Sequence, residues 1–209
     1  MSQSDRLRTA FEIGKHSLTL TGRQVVEEDG YVVERLWFVT AEGEAVRGAL
    51  TRPLETGRGP GLLYNHAHGA RYDIGADELL DGRPALLGPL GPEFARRGFV
   101  TLMIEMPAFG TRSEPNESAR TKACLWRGRS LAGQMMAEQQ SAFEWLAARE
   151  DVVPDRIGVF GLSMGATLGY WLAAAEPRLR GVAPLCCYAD FAALIETGAP
   201  DPHGIYLTV

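Results

Sequence analysis

The 209-residue sequence predicts an α/β fold: a mostly parallel β-sheet between helices, opened by an antiparallel hairpin. Three observations carry this. Short apolar runs that read as strands buried on both faces alternate with stretches of helical spacing. Two strand-like segments joined only by "AEG" precede that alternation. Three predicted strands end in polar sequences, "NHAHG", "EMPAFG" and "GLSMG". Ligands of open α/β sheets bind beyond such carboxyl ends.

Each element follows from local pattern. "YVVERLWFVT" (31–40) and "EAVRGALTRP" (44–53) form the hairpin. "GRGP" breaks the chain, and "GLLYNHA" (61–67) is a buried strand. "GPLGPEFARRG" is a short helix stopped at Gly98. "FVTLMIEM" (99–106) is a second buried strand, ended by Pro107. The polar stretch "GTRSEPNESARTK" reads as a surface loop. Residues 131–150 carry Met135, Met136, Phe143, Leu146 and Ala147 on one face, as an amphipathic helix does. "VVPDR" turns the chain into the strand "IGVFG" (157–161). "MGATLGYWLAAAEP" is a helix, and "GVAPLCCY" (181–188) is the last strand. Right-handed crossovers then place helices on both faces.

Composition excludes several classes. A net charge of -5 argues against a nucleic-acid surface. No apolar run approaches the roughly 18 residues of a membrane span. "MSQSDRLRTAFEIG" lacks the basic-then-apolar pattern of a signal peptide. The three cysteines, Cys124, Cys186 and Cys187, have no metal-ligand spacing and read as reduced thiols of a cytoplasmic protein. The chain is expected to form a single domain over 1–209, with 1–30 as an N-terminal extension.

The segment "RIGVFGLSMGATLGYWL" holds Gly161-Leu162-Ser163-Met164-Gly165 between a strand and a helix. The glycines allow a sharp turn that lifts the Ser163 hydroxyl above the sheet. The first amides and dipole of the following helix favour negative charge at the same point, as an alkoxide and a tetrahedral oxyanion both require. Ser163 is therefore the candidate nucleophile.

At this point the chain resembles the α/β-hydrolase superfamily, and within it the dienelactone-hydrolase-like and prolyl-oligopeptidase-like esterases, acetyl-xylan-esterase-like members included. The resemblance runs from about Tyr31 to the end and rests on "LLYNHAHGARYD", "FARRGFVTLMIEMPAFGTR", "WLAAREDVVPDRIGVFGLSMGA" and "GVAPLCCY". It implies a three-layer sandwich of α/β-hydrolase type, here lacking the last strands. It also implies a serine hydrolase that cleaves small carboxylic esters through an acyl-enzyme on Ser163, without a cofactor. By the same resemblance, the backbone N–H of Met164 and that of His68, with Ala67 as the adjacent alternative, hold the oxyanion. His66-x-His68 could suggest metal ligands, but no further clustered His, Cys or Glu supports a metal. An imidazole bonded to backbone under the elbow is the better reading of His66.

A serine needs an adjacent base. The superfamily order is Ser, then Asp or Glu, then His. Only His203, of the four histidines His16, His66, His68 and His203, follows Ser163. Asp190 follows the last strand, where some members keep their acid, so Asp190 and His203 are the candidate triad partners. "FAALIETGAPDP" between them offers no strand to return His203 to the serine, and Asp201 and Glu196 read as solvated charges. The chain is therefore expected to be a C-terminally truncated hydrolase. Its last strand would be an open edge able to self-associate, and its turnover would be crippled. Glu105 binds substrate or braces its loop, bracing being favoured. Arg71, Tyr72 and Asp73 form a salt-bridged turn or line the acyl pocket. Trp126 roofs the cleft, while Trp145 and Trp171 belong to the core. The alternatives are a short-peptide hydrolase of prolyl-oligopeptidase type, a dienelactone hydrolase proper (many of which carry cysteine at the elbow), and a non-catalytic remnant or binding protein. No nucleic-acid or membrane partner is expected.

Overall fold

A computed structural model describes residues 2–13, 17–55 and 57–198. In chain order the elements are α1 (Gln3–Ala10), β1 (Leu18–Glu28), β2 (Tyr31–Thr40), β3 (Ala45–Pro53), β4 (Gly59–Asn65), α2 (Glu78–Asp81), α3 (Leu90–Arg96) and β5 (Val100–Ile104). A 3-10 turn at Gly110–Arg112 follows, then α4 (Glu117–Trp126), α5 (Leu131–Ala147), β6 (Val152–Leu162), α6 (Met164–Ala175), β7 (Val182–Leu185) and α7 (Phe191–Glu196). The strands form one seven-stranded sheet in the order β1-β2-β3-β5-β4-β6-β7. β5, β4, β6 and β7 are parallel, while β1, β2 and β3 form an antiparallel meander joined antiparallel to β5.

The predicted alternation is present. β5 is buried along its whole length, as its unbroken apolar run requires. The larger core cluster joins β2, β3, β4, β5 and β6 to α5 and α6, and includes Leu50, Leu63, Leu102, Phe143 and Leu168. A second cluster around Tyr64, Leu79, Met103 and Phe160 lies with α2 and α3. Trp145 meets Phe38 edge-on at 5.3 Å and Trp171 stacks on Phe11 at 5.3 Å, so both serve the core.

Three expectations are corrected. Residues 18–28, assigned to an N-terminal extension, form the edge strand β1, paired with β2 over its length. This strand is exposed on nearly every residue, so no hydrophobic alternation marks it. Half of the expected surface loop is helix α4, capped by the Asn116 side chain, which accepts from Ala119 N–H. Its inward residues are Glu117, Thr121 and Cys124, a helical i, i+4, i+7 face that is mostly polar. Finally, "VVPDR" is not a turn. It belongs to β6, whose pairing with β4 steps from Pro60↔Val153 to Gly61↔Ile157, so that residues 154–156 bulge from the ladder.

Candidate active site

The parallel strands end together where the three polar sequences lie. Ser163 sits between β6 and α6 at φ 55, ψ -117. That is a sparsely populated conformation for a residue with a Cβ, and such strain clusters at functional sites. The elbow backbone is fully engaged. Ser163 N–H donates to Leu185 O on β7 at 2.8 Å, and Ser163 O accepts from Ala166 and Thr167 N–H, both at 3.0 Å. The Ser163 side chain makes no capping bond to α6. The residue is partly exposed. Met164 opens α6, so its N–H has no acceptor within the helix.

Gly165 brings the next loop against this turn. A Cβ there would lie 2.0 Å from Asn65 O and 2.5 Å from His66 O. Only a glycine lets the first turn of α6 pack directly on the end of β4. "NHAHG" therefore leaves the sheet beside the serine, as its position after "GLLY" predicts.

His66 is fully buried. Its Nε2 accepts from Met106 N–H at 3.1 Å, which places the ring proton on Nδ1, and Nδ1–H donates to Ala67 O at 3.0 Å. This is the backbone-bonded imidazole expected of it. Burial first, then the nearby positive charges of Arg83 and Arg112, push its pKa down to about 4 against 6.5 for a free imidazole, against the opposing bond to Ala67 O. The unfolded chain therefore binds the extra proton between pH 6.5 and 4. The stability that neutral His66 contributes is complete above pH 6.5 and is lost as the pH falls towards 4. That loss is on the order of 3 kcal/mol. Urea unfolding at pH 7 and pH 4 is expected to show a steeper acid loss for the wild type than for His66→Asn.

The His68 ring is turned from the sheet toward α4. Its Nδ1 accepts from Ala70 N–H at 3.0 Å, and Nε2 faces the Glu117 carboxylate at 3.1 Å. Tyr72 donates its hydroxyl to the same carboxylate at 2.7 Å, and its ring stacks on Phe109 at 5.3 Å. Both imidazoles of the pair thus have protein partners. Among the described residues, no group of three or more His, Cys, Asp or Glu could hold a metal ion.

Glu105 braces the loops. It is fully buried, accepts from Arg47 Nη2 at 2.9 Å, and accepts from the Thr111 hydroxyl. Arg47 continues to Asp77 at 2.5 Å. Arg71 and Asp73 form the expected exposed, two-pronged salt bridge, at 2.8 and 2.6 Å. Trp126 projects into solvent at the end of α4 opposite Glu117. Asp190 caps α7, its Oδ1 accepting from Ala192 N–H at 2.9 Å and Ala193 N–H at 3.3 Å. His16, Asp201 and His203 lie outside the described residues.

The pattern alone missed Glu78, Arg83 and Glu117. All three are buried, yet each reads as a solvated charge in a polar stretch. The one local signal is Asn116, a helix cap placed directly before Glu117.

The sheet order, the strained serine between strand and helix, and the loop beside it define an α/β-hydrolase. The chain belongs to the X-Pro dipeptidyl-peptidase (S15) family, whose sequence pattern matches residues 50–209. It is 34% identical over 188 residues to a Bacillus subtilis (strain 168) protein named "Putative hydrolase YtaP", covering 89% of this chain and 63% of that one. Among solved structures it resembles a "putative acetyl xylan esterase" of Bacteroides fragilis, with a TM-score of 0.70 at 15% identity, covering 86% of this chain and 50% of that one. It also resembles acetyl xylan esterase 1 of Thermoanaerobacterium sp. JW/SL YS485, with a TM-score of 0.60 at 16% identity, covering 94% of this chain and 61% of that one. These likenesses establish the fold. The chain spans less than two thirds of the length of each of these relatives. Among the described residues, no helix is long and apolar enough to cross a membrane.

Proposed function

We propose that the protein is a serine hydrolase that cleaves small carboxylic esters through an acyl-enzyme on Ser163. The observation that carries this reading is the Ser163 elbow, with φ 55 and a side chain spared from capping. Ser163 attacks the ester carbonyl and expels the alcohol, and water then releases the acid. Backbone N–H groups of Met164 and His68 stabilise the oxyanion. The choice of His68 over Ala67 is supported by Ala67 N–H, which already donates to the Glu78 carboxylate at 3.2 Å. No step in this reading calls for a cofactor. The reduced thiols fit a cytoplasmic setting.

His66 and His68 are held by other partners, so neither is the base in this reading. Asp190 is engaged as a helix cap, and a base must come from outside the described residues. Residues 1–209 are expected to hydrolyse p-nitrophenyl acetate feebly, with His203→Ala leaving that rate unchanged. Strong turnover abolished by both Ser163→Ala and His203→Ala would establish a compressed Ser163–Asp190–His203 triad instead.

The S15 match favours one second reading, release of short peptides from an X-Pro substrate. Hydrolysis of an X-Pro p-nitroanilide in preference to acetyl esters would select it. We further propose that β7, paired on one side only among the described residues and ending near the exposed Leu185 and Tyr188, takes up a second copy of the chain. Light scattering across concentrations checks this: a mass fixed at the monomer would exclude it.

A further inference from the structure

We infer that the buried Glu78–Arg83 pair is a positioning device that fixes the peptide plane between Ala67 and His68. Under the ester-hydrolase reading, on which this inference rests, that plane carries an oxyanion donor. Both side chains come from the short segment after the loop, and both point back at its backbone. Glu78 Oε2 accepts from Ala67 N–H at 3.2 Å and from Arg83 Nη1 at 2.9 Å, while Oε1 accepts from the Tyr64 hydroxyl at 2.8 Å. Arg83 Nη2 donates to His68 O at 3.2 Å. Between these contacts, Ala67 O receives the His66 Nδ1–H.

Three successive peptide units are thus held by three different side chains. Glu78 takes the N–H of the first, His66 the C=O of the second, and Arg83 the C=O of the third. The second unit is the one whose N–H belongs to His68. A peptide plane that flips presents a carbonyl where an amide pointed, and so exchanges a donor for a repulsive acceptor. The loop is prone to such flips, because Gly69 (φ 52) and Ala70 (φ 53) follow in the left-handed region. Arg83 lies against that weak point: a Cβ on Gly69 would be 3.0 Å from its Nη2. Stability alone does not account for the pair. Glu78 is wholly buried and Arg83 is 9% exposed, and a buried ion pair is often no better than apolar residues of the same shape. Its geometry instead matches the demand of an oxyanion site, where displacement of about 1 Å costs roughly 100-fold.

Two variants test this. Arg83→Lys keeps the counter-charge of Glu78 but lacks the second prong for His68 O. Glu78→Leu/Arg83→Met removes both charges together, so neither is left buried alone. Two measurements are read on each. The first is amide exchange of Ala67 and its neighbours by NMR, referenced to Leu102 in the core of β5. The second is affinity for phenylboronic acid, which forms a tetrahedral adduct on an active serine. The double variant is expected to exchange at Ala67 roughly 100-fold faster with Leu102 unchanged. Both variants are expected to bind the boronic acid about 100-fold more weakly. Parent-like boronic acid affinity in either folded variant, or parent-like Ala67 exchange in the double variant, overturns the inference. Ser163→Ala separates the two claims. If it binds phenylboronic acid as the parent does, the ester-hydrolase reading fails, and Ala67 exchange alone decides the clamp.

Discussion

Ser163→Ala is expected to reduce ester hydrolysis to the uncatalysed background while leaving the protein folded. The loss is on the order of 10⁶ in kcat where an imidazole serves the serine. Where none does, the variant removes the slow turnover that oxyanion donors sustain on their own. The fold should tolerate the change because the Ser163 side chain caps nothing and the elbow is held by backbone. Ser163 N–H is bonded to Leu185 O, and Ser163 O to two amides of α6. Spectrophotometric assay with p-nitrophenyl acetate, paired with a thermal melt, checks both halves. A melt close to that of the parent with activity gone assigns the loss to chemistry. An unchanged rate removes Ser163 from the reaction.

Gly165→Ala should be the most damaging of the small substitutions. The added Cβ would meet Asn65 O at 2.0 Å and Asn65 C and His66 O at 2.5 Å. These are backbone atoms at the end of a central strand and cannot rotate away. Either α6 lifts from β4 or the loop carrying Ala67 and His68 shifts, so stability and site geometry fall together. A cost above about 4 kcal/mol is expected, read by urea unfolding. Gly181→Ala is the control, since nothing lies within 4 Å of its Cβ position, and its effect should stay within about 0.5 kcal/mol.

Much of this site is legible because its requirements are steric and local. Gly161 and Gly165 announce the elbow, since each meets backbone at under 2.5 Å where a Cβ would stand. β4 and β5 are legible because strands covered on both faces must be apolar throughout. β1 is hidden for the converse reason: water on both faces leaves Leu18–Glu28 free of any pattern. α4 is hidden because its inward face is mostly polar, with Glu117 serving His68 and Tyr72. Glu78 and Arg83 look like surface charges in "DELLDGRP" until the chain closes over them. Their role depends on which backbone groups of residues 66–69 they meet, and a contact between a side chain and a distant loop leaves no periodic trace.

The same division separates the two halves of the chemistry. The nucleophile and its electrostatic surroundings arise from one strand, one helix and one loop that are near one another in the sheet order. The acid and base of the superfamily reside on later loops, whose placement no short motif records. Asp190, the acid candidate, is committed to its own helix, and His203 lies outside the described residues.

Covalent labelling with a fluorophosphonate, followed by peptide mass mapping, identifies which oxygen is the nucleophile without requiring a particular substrate. An adduct is expected at Ser163, slow to form where no imidazole serves the serine, and absent from the Ser163→Ala variant. An adduct on another residue, or equal labelling of the parent and Ser163→Ala, would contradict this assignment.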